Sequence, residues 1–295
     1  MALQWDALAT GDTGVMLTAQ HEILQKPAGT SWITYTRGHD DIGLGYDDDM
    51  ILQAGYTPYE HRRFLKDYYA GVYPASVATG ALFSVNPKTQ DARISGSLAS
   101  LCGLEKALDQ GDAAAIDLAV ERILLMQAHS FFLGGIPMIF YGDEAGYTND
   151  YSYLDDPGKH YDNRWMHRPL MDWKKNKQII AEDGPQHCIY KGIQRLLTLR
   201  SQLDVVADTS NLTWLRPVNK SIAAYVRRGS EQSLCALFNF SNTPVSVPLS
   251  GLNLYEADTS EVFDYWQQIW VQADAAGMLF FQPYQFYLLI VPPVE

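Results

Sequence analysis

The chain has 295 residues, 47% of them hydrophobic and 19% charged, which is enough apolar material for two packed cores and too much for a disordered chain. Its formal net charge of −12, with no cluster of Lys and Arg to offset it, opposes phosphate backbones and anionic lipid alike, so nucleic acid and membrane surfaces are excluded as partners. Cys102, Cys188 and Cys235 are too few and too scattered for a disulfide framework or a CxxC metal site; they read as buried free thiols, and neither a metal nor a cofactor is expected.

The opening Met1-Ala-Leu-Gln-Trp-Asp6 lacks the basic end and apolar stretch of a signal peptide, which points to a cytoplasmic protein. Residues 3 to 25 carry a weak helical pattern interrupted by Gly11 and Gly14. A β-branched and aromatic run from Trp32 to Arg37 then predicts a strand, and it ends abruptly in His39, Asp40 and Asp41. From about residue 43 to 111 the chain reads as an insert: an acidic loop at Asp47 to Asp49, a polar helix around Tyr59 to Tyr69, and a turn at Asn86 to Asp91 between short extended runs.

Asp112 is placed to cap an amphipathic helix with Ile116, Val120, Ile123, Leu124, Gln127 and Phe131 on one face. A second strand follows from Ile136 to Tyr141 and also ends in acids, Asp143 and Glu144. Strand, insert, helix and strand make one parallel unit with a right-handed crossover. A polar loop from Gly146 to about Gly184 leads to a helix from Gln186 to about Ser201. Beyond it, short alternating runs (Ile222 to Val226, Ser233 to Phe238, Val245 to Leu249, Phe286 to Val291) have the spacing of an antiparallel sandwich, with a boundary near Thr209.

Chemistry is sought at the strand ends, because α/β sheets and barrels carry their sites at the carboxyl edge. A carboxylate beside an imidazole can accept sugar hydroxyls, and loops rich in Tyr, Trp and Asp suit polyol recognition. Three other readings stay open: a hydrogen-bonded loop without catalysis, a Ca²⁺ site at His39 to Asp41 with Asp47 to Asp49, and an acid and nucleophile pair of Asp40 with Asp143 or Glu144.

Four stretches resemble the α-amylase superfamily, and within it the sucrose-using amylosucrase branch: Leu3 to Thr10, Tyr35-Thr-Arg-Gly-His-Asp-Asp-Ile-Gly43, Pro137-Met-Ile-Phe-Tyr-Gly-Asp-Glu144, and Asp162-Asn-Arg-Trp-Met-His-Arg-Pro169, with the insert's His61-Arg-Arg-Phe-Leu65 in support. The resemblance implies an α/β fold: the C-terminal portion of a (β/α)₈ barrel (1–43 and 112–208), an inserted subdomain (44–111), and a C-terminal antiparallel β-sandwich (209–295). It implies that Asp40 stabilises an oxocarbenium-like transition state, that His39 is its hydrogen-bonding companion, and that Arg164 closes the pocket through an ion pair with an acid from the first half of the barrel. Asp41 and Asp143 are further lining residues, with sucrose and α-glucan as substrates.

The family's nucleophile lies in a Gly-x-Arg-x-Asp motif and its general acid is a Glu one strand later. This chain contains no Arg-x-Asp, and its first matching residue already lies past those strands. The expectation is therefore the C-terminal half of an amylosucrase-type enzyme, inactive alone, with a separate chain as one source of the missing half. An α-glucoside hydrolase half and a non-catalytic carbohydrate-binding remnant are the alternatives.

Overall fold

The structure is a computed structural model, and it describes residues 1–20, 25–27, 29–207, 210–252 and 261–291. Two compact units emerge, one formed by 1–5, 35–124 and 138–194, the other by 6–34, 125–137 and 195–295. The boundary expected near Thr209 lies outside the described residues, as does part of the helical pattern expected to reach residue 25. Of that pattern, helices Ala2–Thr10 and Gly14–Thr18 are present, separated at Gly11 to Thr13.

Strand β1 (Ile33–Thr34) and the later β5 (Ile136–Pro137) form the expected parallel pair, but each is only two residues long rather than six. Among the described residues each has a partner on one side only, so nothing there propagates the ladder, and Trp32, Ile33 and Ile136 remain exposed. Gly135 precedes β5 at a positive φ of 93°, and a Cβ there would lie 2.3 Å from the Trp32 carbonyl oxygen, so only glycine lets these backbones meet.

In the first unit, β2 (Ile42–Gly43), β3 (Ala81–Val85) and β4 (Ala92–Ser95) form an antiparallel sheet in the order β2-β4-β3. The central strand buries Ala92, Ile94 and Ser95, whereas β3 is a largely exposed edge. The expected turn is present, closed by the Asn86 N–H to the Asp91 carbonyl at 2.7 Å. The stretch read as an acidic loop is instead the start of helix Asp48–Gln53. Asp47 caps it, accepting from the Asp49 and Met50 amides at 2.9 and 3.1 Å, and Asp48 and Asp49 fill its first turn, where negative charge complements the helix dipole. Helix Pro58–Tyr69 starts on a proline, whose missing N–H is no loss there. It packs Tyr69 edge-on against Trp5 at 5.5 Å, and the Trp5 indole N–H donates to the Thr36 carbonyl at 2.8 Å.

Helix Ala113–Leu133 forms as expected, with Asp112 accepting from the Ala115 amide at 3.1 Å and Val120, Ile123, Leu124, Gln127 and Phe131 buried. Helix Pro185–Ser201 also forms and leaves Cys188 on its exposed side, so one of the three thiols is not buried. The stretch read as a polar loop holds a further helix, Trp173–Ala181, capped by Asp172. It buries none of its residues, which removes the apolar stripe by which it could be read.

In the second unit, β6 (Leu212–Leu215), β7 (Ile222–Arg227), β8 (Ser233–Asn239), β9 (Val245–Pro248), β10 (Glu261–Asp264), β11 (Ile269–Gln272), β12 (Met278–Phe281) and β13 (Phe286–Val291) make two antiparallel sheets. Their orders are β11-β10-β13-β8-β7-β6 and β12-β9. Ile222, Ala224, Val226, Cys235, Leu237, Val262 and Leu289 on one sheet join Val247, Leu279 and Phe281 on the other in a common core. The other face of the large sheet is covered too: His129 lies among Trp214, Tyr225, Phe238 and Phe240, and the buried Arg227 donates to the Leu133 carbonyl at 2.6 Å. With both faces covered, β7 and β8 are buried along their whole length.

Candidate active site

The first unit brings together the two strand ends singled out in the sequence. Arg37 ends one apolar run and Asp143 the other, and their side chains form a buried ion pair: Nε and Nη2 of Arg37 lie 2.9 and 2.8 Å from Asp143 Oδ1. A guanidinium leaves water only with such a partner. Phe140 covers it, its ring centroid 4.6 Å from Arg37 Cζ. Burial raises the Asp143 carboxyl to about 6, against the opposing pull of Arg37 and of the Leu98 amide. Asp143 is thus enclosed and paired. Glu144 beside it accepts from the Gly142 amide at 2.8 Å.

Above this pair the residues 38–41 are held from outside their own segment. The His167 imidazole is buried; its Nδ1 accepts from the Gly96 amide at 3.0 Å, which places the ring proton on Nε2, 3.1 Å from the His39 carbonyl. Burial and the nearby Arg37 lower its pKa to about 4, so the ring is neutral in neutral solution. Arg168 Nε donates to the same His39 carbonyl at 2.8 Å, and Arg37 Nη1 donates to the His167 carbonyl at 3.3 Å.

The side chains of His39 and Asp40 are left open, 73% and 56% exposed, with His39 Nε2 3.4 Å from Asp40 Oδ2. Arg164 Nη1 donates to Asp40 Oδ1 at 3.1 Å, and Arg168 Nη2 lies 3.6 Å from the same oxygen. Arg164 is fixed by Asp162 through two bonds, Nε to Oδ1 and Nη2 to Oδ2, both 2.9 Å. That fork lowers the Asp162 pKa and raises that of Arg164. The inserted sheet contributes from the other side. β3 and β4 slip register between Leu82 and Ser84, and the bulged Phe83 ring lies 5.1 Å from Arg164 Cζ. Asn163 Nδ2 donates to the Leu82 carbonyl at 2.9 Å, and Arg93 Nη1 lies 3.6 Å from the nearly buried Asp41.

The structure therefore gathers His39, Asp40 and Arg164 into one open cluster, sets Asp41 at its insert side and keeps Asp143 beneath it in a separate pair. An exposed carboxylate flanked by two guanidinium groups and an imidazole can accept hydroxyl hydrogens. Arg37, His167, Arg168 and Phe83 carried no assigned role in the sequence. The signal for Arg37 was its position, a fixed charge closing an apolar run parallel to a second run that closes in acids. No group of His, Cys, Asp and Glu among the described residues could hold a metal ion, and no described helix is long and apolar enough to cross a membrane.

No model of a known protein family matches the chain. Among curated proteins it is similar to a maltogenic α-amylase of Bacillus acidopullulyticus, 29% identical over 139 residues, covering 45% of this chain and 19% of that protein. It is also similar to a trehalose synthase of Thermus thermophilus, 22% identical across 98% of this chain and 28% of that protein. The chain spans under a third of either relative. Among solved structures, AmyP in complex with maltotriose superposes over 99% of this chain and 49% of its own, with a TM-score of 0.58 at 12% identity. Sucrose 6F-phosphate phosphorylase of Thermoanaerobacter thermosaccharolyticum superposes over 95% and 46%, also at a TM-score of 0.58 and 12% identity. The chain thus has the α/β fold of the C-terminal portion of a (β/α)₈ barrel with an inserted subdomain and a terminal antiparallel β-sandwich, and its sequence relatives and fold neighbours are enzymes of the α-amylase family, glycoside hydrolase family 13.

Proposed function

We propose that this chain is the sugar-gripping C-terminal half of an amylosucrase-type α-glucan enzyme, divided into barrel segments 1–43 and 112–208, an insert 44–111 and a sandwich from 209. In the complete enzyme a carboxylate nucleophile attacks the anomeric carbon of sucrose's glucosyl unit. The bond to fructose breaks as a general acid protonates the departing oxygen. The glucosyl ester is then attacked by a glucan hydroxyl, whose proton returns to that same acid/base, so that two inversions leave the α configuration retained. Asp40 and His39 hold the glucosyl hydroxyls where positive charge develops, Arg164 shapes the pocket, and Asp41 and Asp143 lie at its insert side and base. The nucleophile and the acid come from the other half of the barrel, in this polypeptide's cellular form or in a companion chain.

The observation that carries this reading is the Arg164 to Asp40 bond at 3.1 Å, which joins the two most branch-specific stretches of the sequence at one exposed carboxylate. Hydrolysis of an α-glucoside is the second reading, favoured by the maltogenic α-amylase among the relatives. One experiment decides. The protein is isolated as the cell makes it and given sucrose with a maltooligosaccharide, then maltooligosaccharide alone, following fructose, glucose and chain length. Fructose release with chain growth, lost in Asp40→Asn, supports the proposal; release of glucose or maltose from the oligosaccharide without sucrose use supports the hydrolase; turnover of neither sinks both.

A further inference from the structure

Asn163 belongs to the stretch Asp162 to Pro169 that resembles the amylosucrase branch, yet the catalytic reading gives it no task. Its side-chain amide bonds to two strands of the inserted sheet: Nδ2 donates to the Leu82 carbonyl on β3 at 2.9 Å, and Oδ1 accepts from Ser95 Oγ on β4 at 2.9 Å. A carbonyl can only accept, so the nitrogen must face Leu82 and the oxygen is left for the Ser95 hydroxyl. Each half of the amide therefore has a fitting partner, and the side chain brackets the two strands.

The bracket sits at the defect in that sheet. Leu82 pairs with Ile94 and Ser84 with Arg93, so Phe83 is an extra residue on β3 with no counterpart on β4. β3 is also the outermost strand and largely exposed, so among the described residues its ladder is supported from one side only. Asn163 holds the carbonyl that immediately precedes the extra residue, and the fully buried Ser95 ties the same amide to the central strand. The amide is itself fixed by the short helical turn Asn163–His167, which Asp162 caps by accepting from the Arg164 amide at 3.0 Å.

Where the bulge aims Phe83 decides what Arg164 meets. The ring lies 5.1 Å from Arg164 Cζ, within the range of a cation–π contact, and the same guanidinium donates to Asp40. Asn163 and Arg164 are neighbours in the chain, so one turn carries both the guanidinium and the bracket that sets the ring against it. We propose that Asn163 is a positioning residue of the candidate site: it fixes the β3 bulge, the bulge holds Phe83 against Arg164, and the ring keeps Arg164 on Asp40. The proposal rests on the functional reading above, because its readout is turnover at Asp40.

The test is a double-mutant cycle on the complete enzyme isolated as the cell makes it, following turnover of whichever of sucrose or maltooligosaccharide the parent uses. Asn163→Ala and Phe83→Ala should each lower kcat about tenfold with KM within about twofold of the parent. In the Phe83→Ala background Asn163→Ala should add little, since the asparagine acts through the ring. Phe83→Tyr, which keeps the ring face, should stay within about twofold of the parent kcat. Circular dichroism and melting curves confirm that each variant is folded, and Ser95→Ala, which removes the bracket's other partner, decides in the same cycle if Asn163→Ala does not fold. An unchanged kcat in either single variant, or a full additional loss from Asn163→Ala in the Phe83→Ala background, overturns the proposal. Turnover by the parent with such independent losses removes this proposal alone, whereas a parent that uses neither substrate removes the functional reading and this proposal with it.

Discussion

His167 donates from Nε2 to the main-chain carbonyl of His39 at 3.1 Å while its Nδ1 accepts from Gly96, so one neutral ring ties the inserted sheet to the segment that carries Asp40. The bond to Gly96 is buried and the bond to His39 is half-buried. Replacing His167 by Ala should lower stability by about 1–3 kcal/mol, the cost of stranding the buried Gly96 N–H, since the His39 carbonyl keeps its bond from Arg168, while His167→Gln should recover part of it. Urea denaturation of the three proteins measures the order.

The same ring gives a pH signature with a definite sign. Its pKa falls from the ordinary 6.5 to about 4 on folding, so its stabilising contribution is complete above 6.5 and is lost as the pH falls through 4. Asp143 works the other way, because its pKa rises from 3.8 to about 6, so its contribution is complete below 3.8 and is lost as the pH rises through 6. His167→Gln should therefore flatten the acid-side fall in stability between pH 6.5 and 4 relative to the parent, as read from denaturation midpoints across that range.

Breaking the Arg37–Asp143 pair from one side should be far worse than removing it whole. Arg37→Met or Asp143→Leu leaves a buried charge unpartnered and should cost roughly 3–5 kcal/mol, whereas the double variant should cost markedly less than the sum. A double-mutant cycle by thermal or urea unfolding reads the coupling directly; additive losses would show that the pair is not a unit.

The three thiols should separate cleanly. Cys188 is exposed, whereas Cys102 and Cys235 are buried and burial pushes both thiols well above the ordinary cysteine range. In native buffer an aromatic disulfide reagent should titrate a single thiol, with the other two appearing only in denaturant.

The site should also depend on Asp162, which contributes no bond to Asp40. Asp162→Asn weakens the two charge-assisted bonds that aim Arg164, and under the proposed function sucrose turnover in the complete enzyme should drop about ten- to hundred-fold through kcat. A change confined to KM, or none, would mean that Arg164 holds its place without the fork.

Much of this was legible in the sequence because the relevant signals are periodic or positional. The apolar stripe from Val120 to Phe131 gave its helix, and the alternating runs at Ile222 and Ser233 gave their strands. Strand length was misread at Trp32 to Arg37, because residue preference describes how well a segment suits a sheet and not how many neighbours it will find. The helix Trp173–Ala181 escaped for the opposite reason, having preference and a cap but no buried face. Within the site, His39 and Asp40 were conspicuous as polar residues after an apolar run. His167 was not, because its work is done by ring nitrogens against main-chain groups 71 and 128 residues away, and no local pattern encodes that.

The fork between Asp162 and Arg164 has a consequence for how a hydroxyl group can reach Asp40. Of the three acidic-oxygen contacts that Arg164 makes, two belong to Asp162 and one to Asp40. A hydroxyl arriving at Asp40 therefore displaces a single N–H, and the displaced arm stays beside the newcomer, tethered and ready to bond to the guest in place of its host.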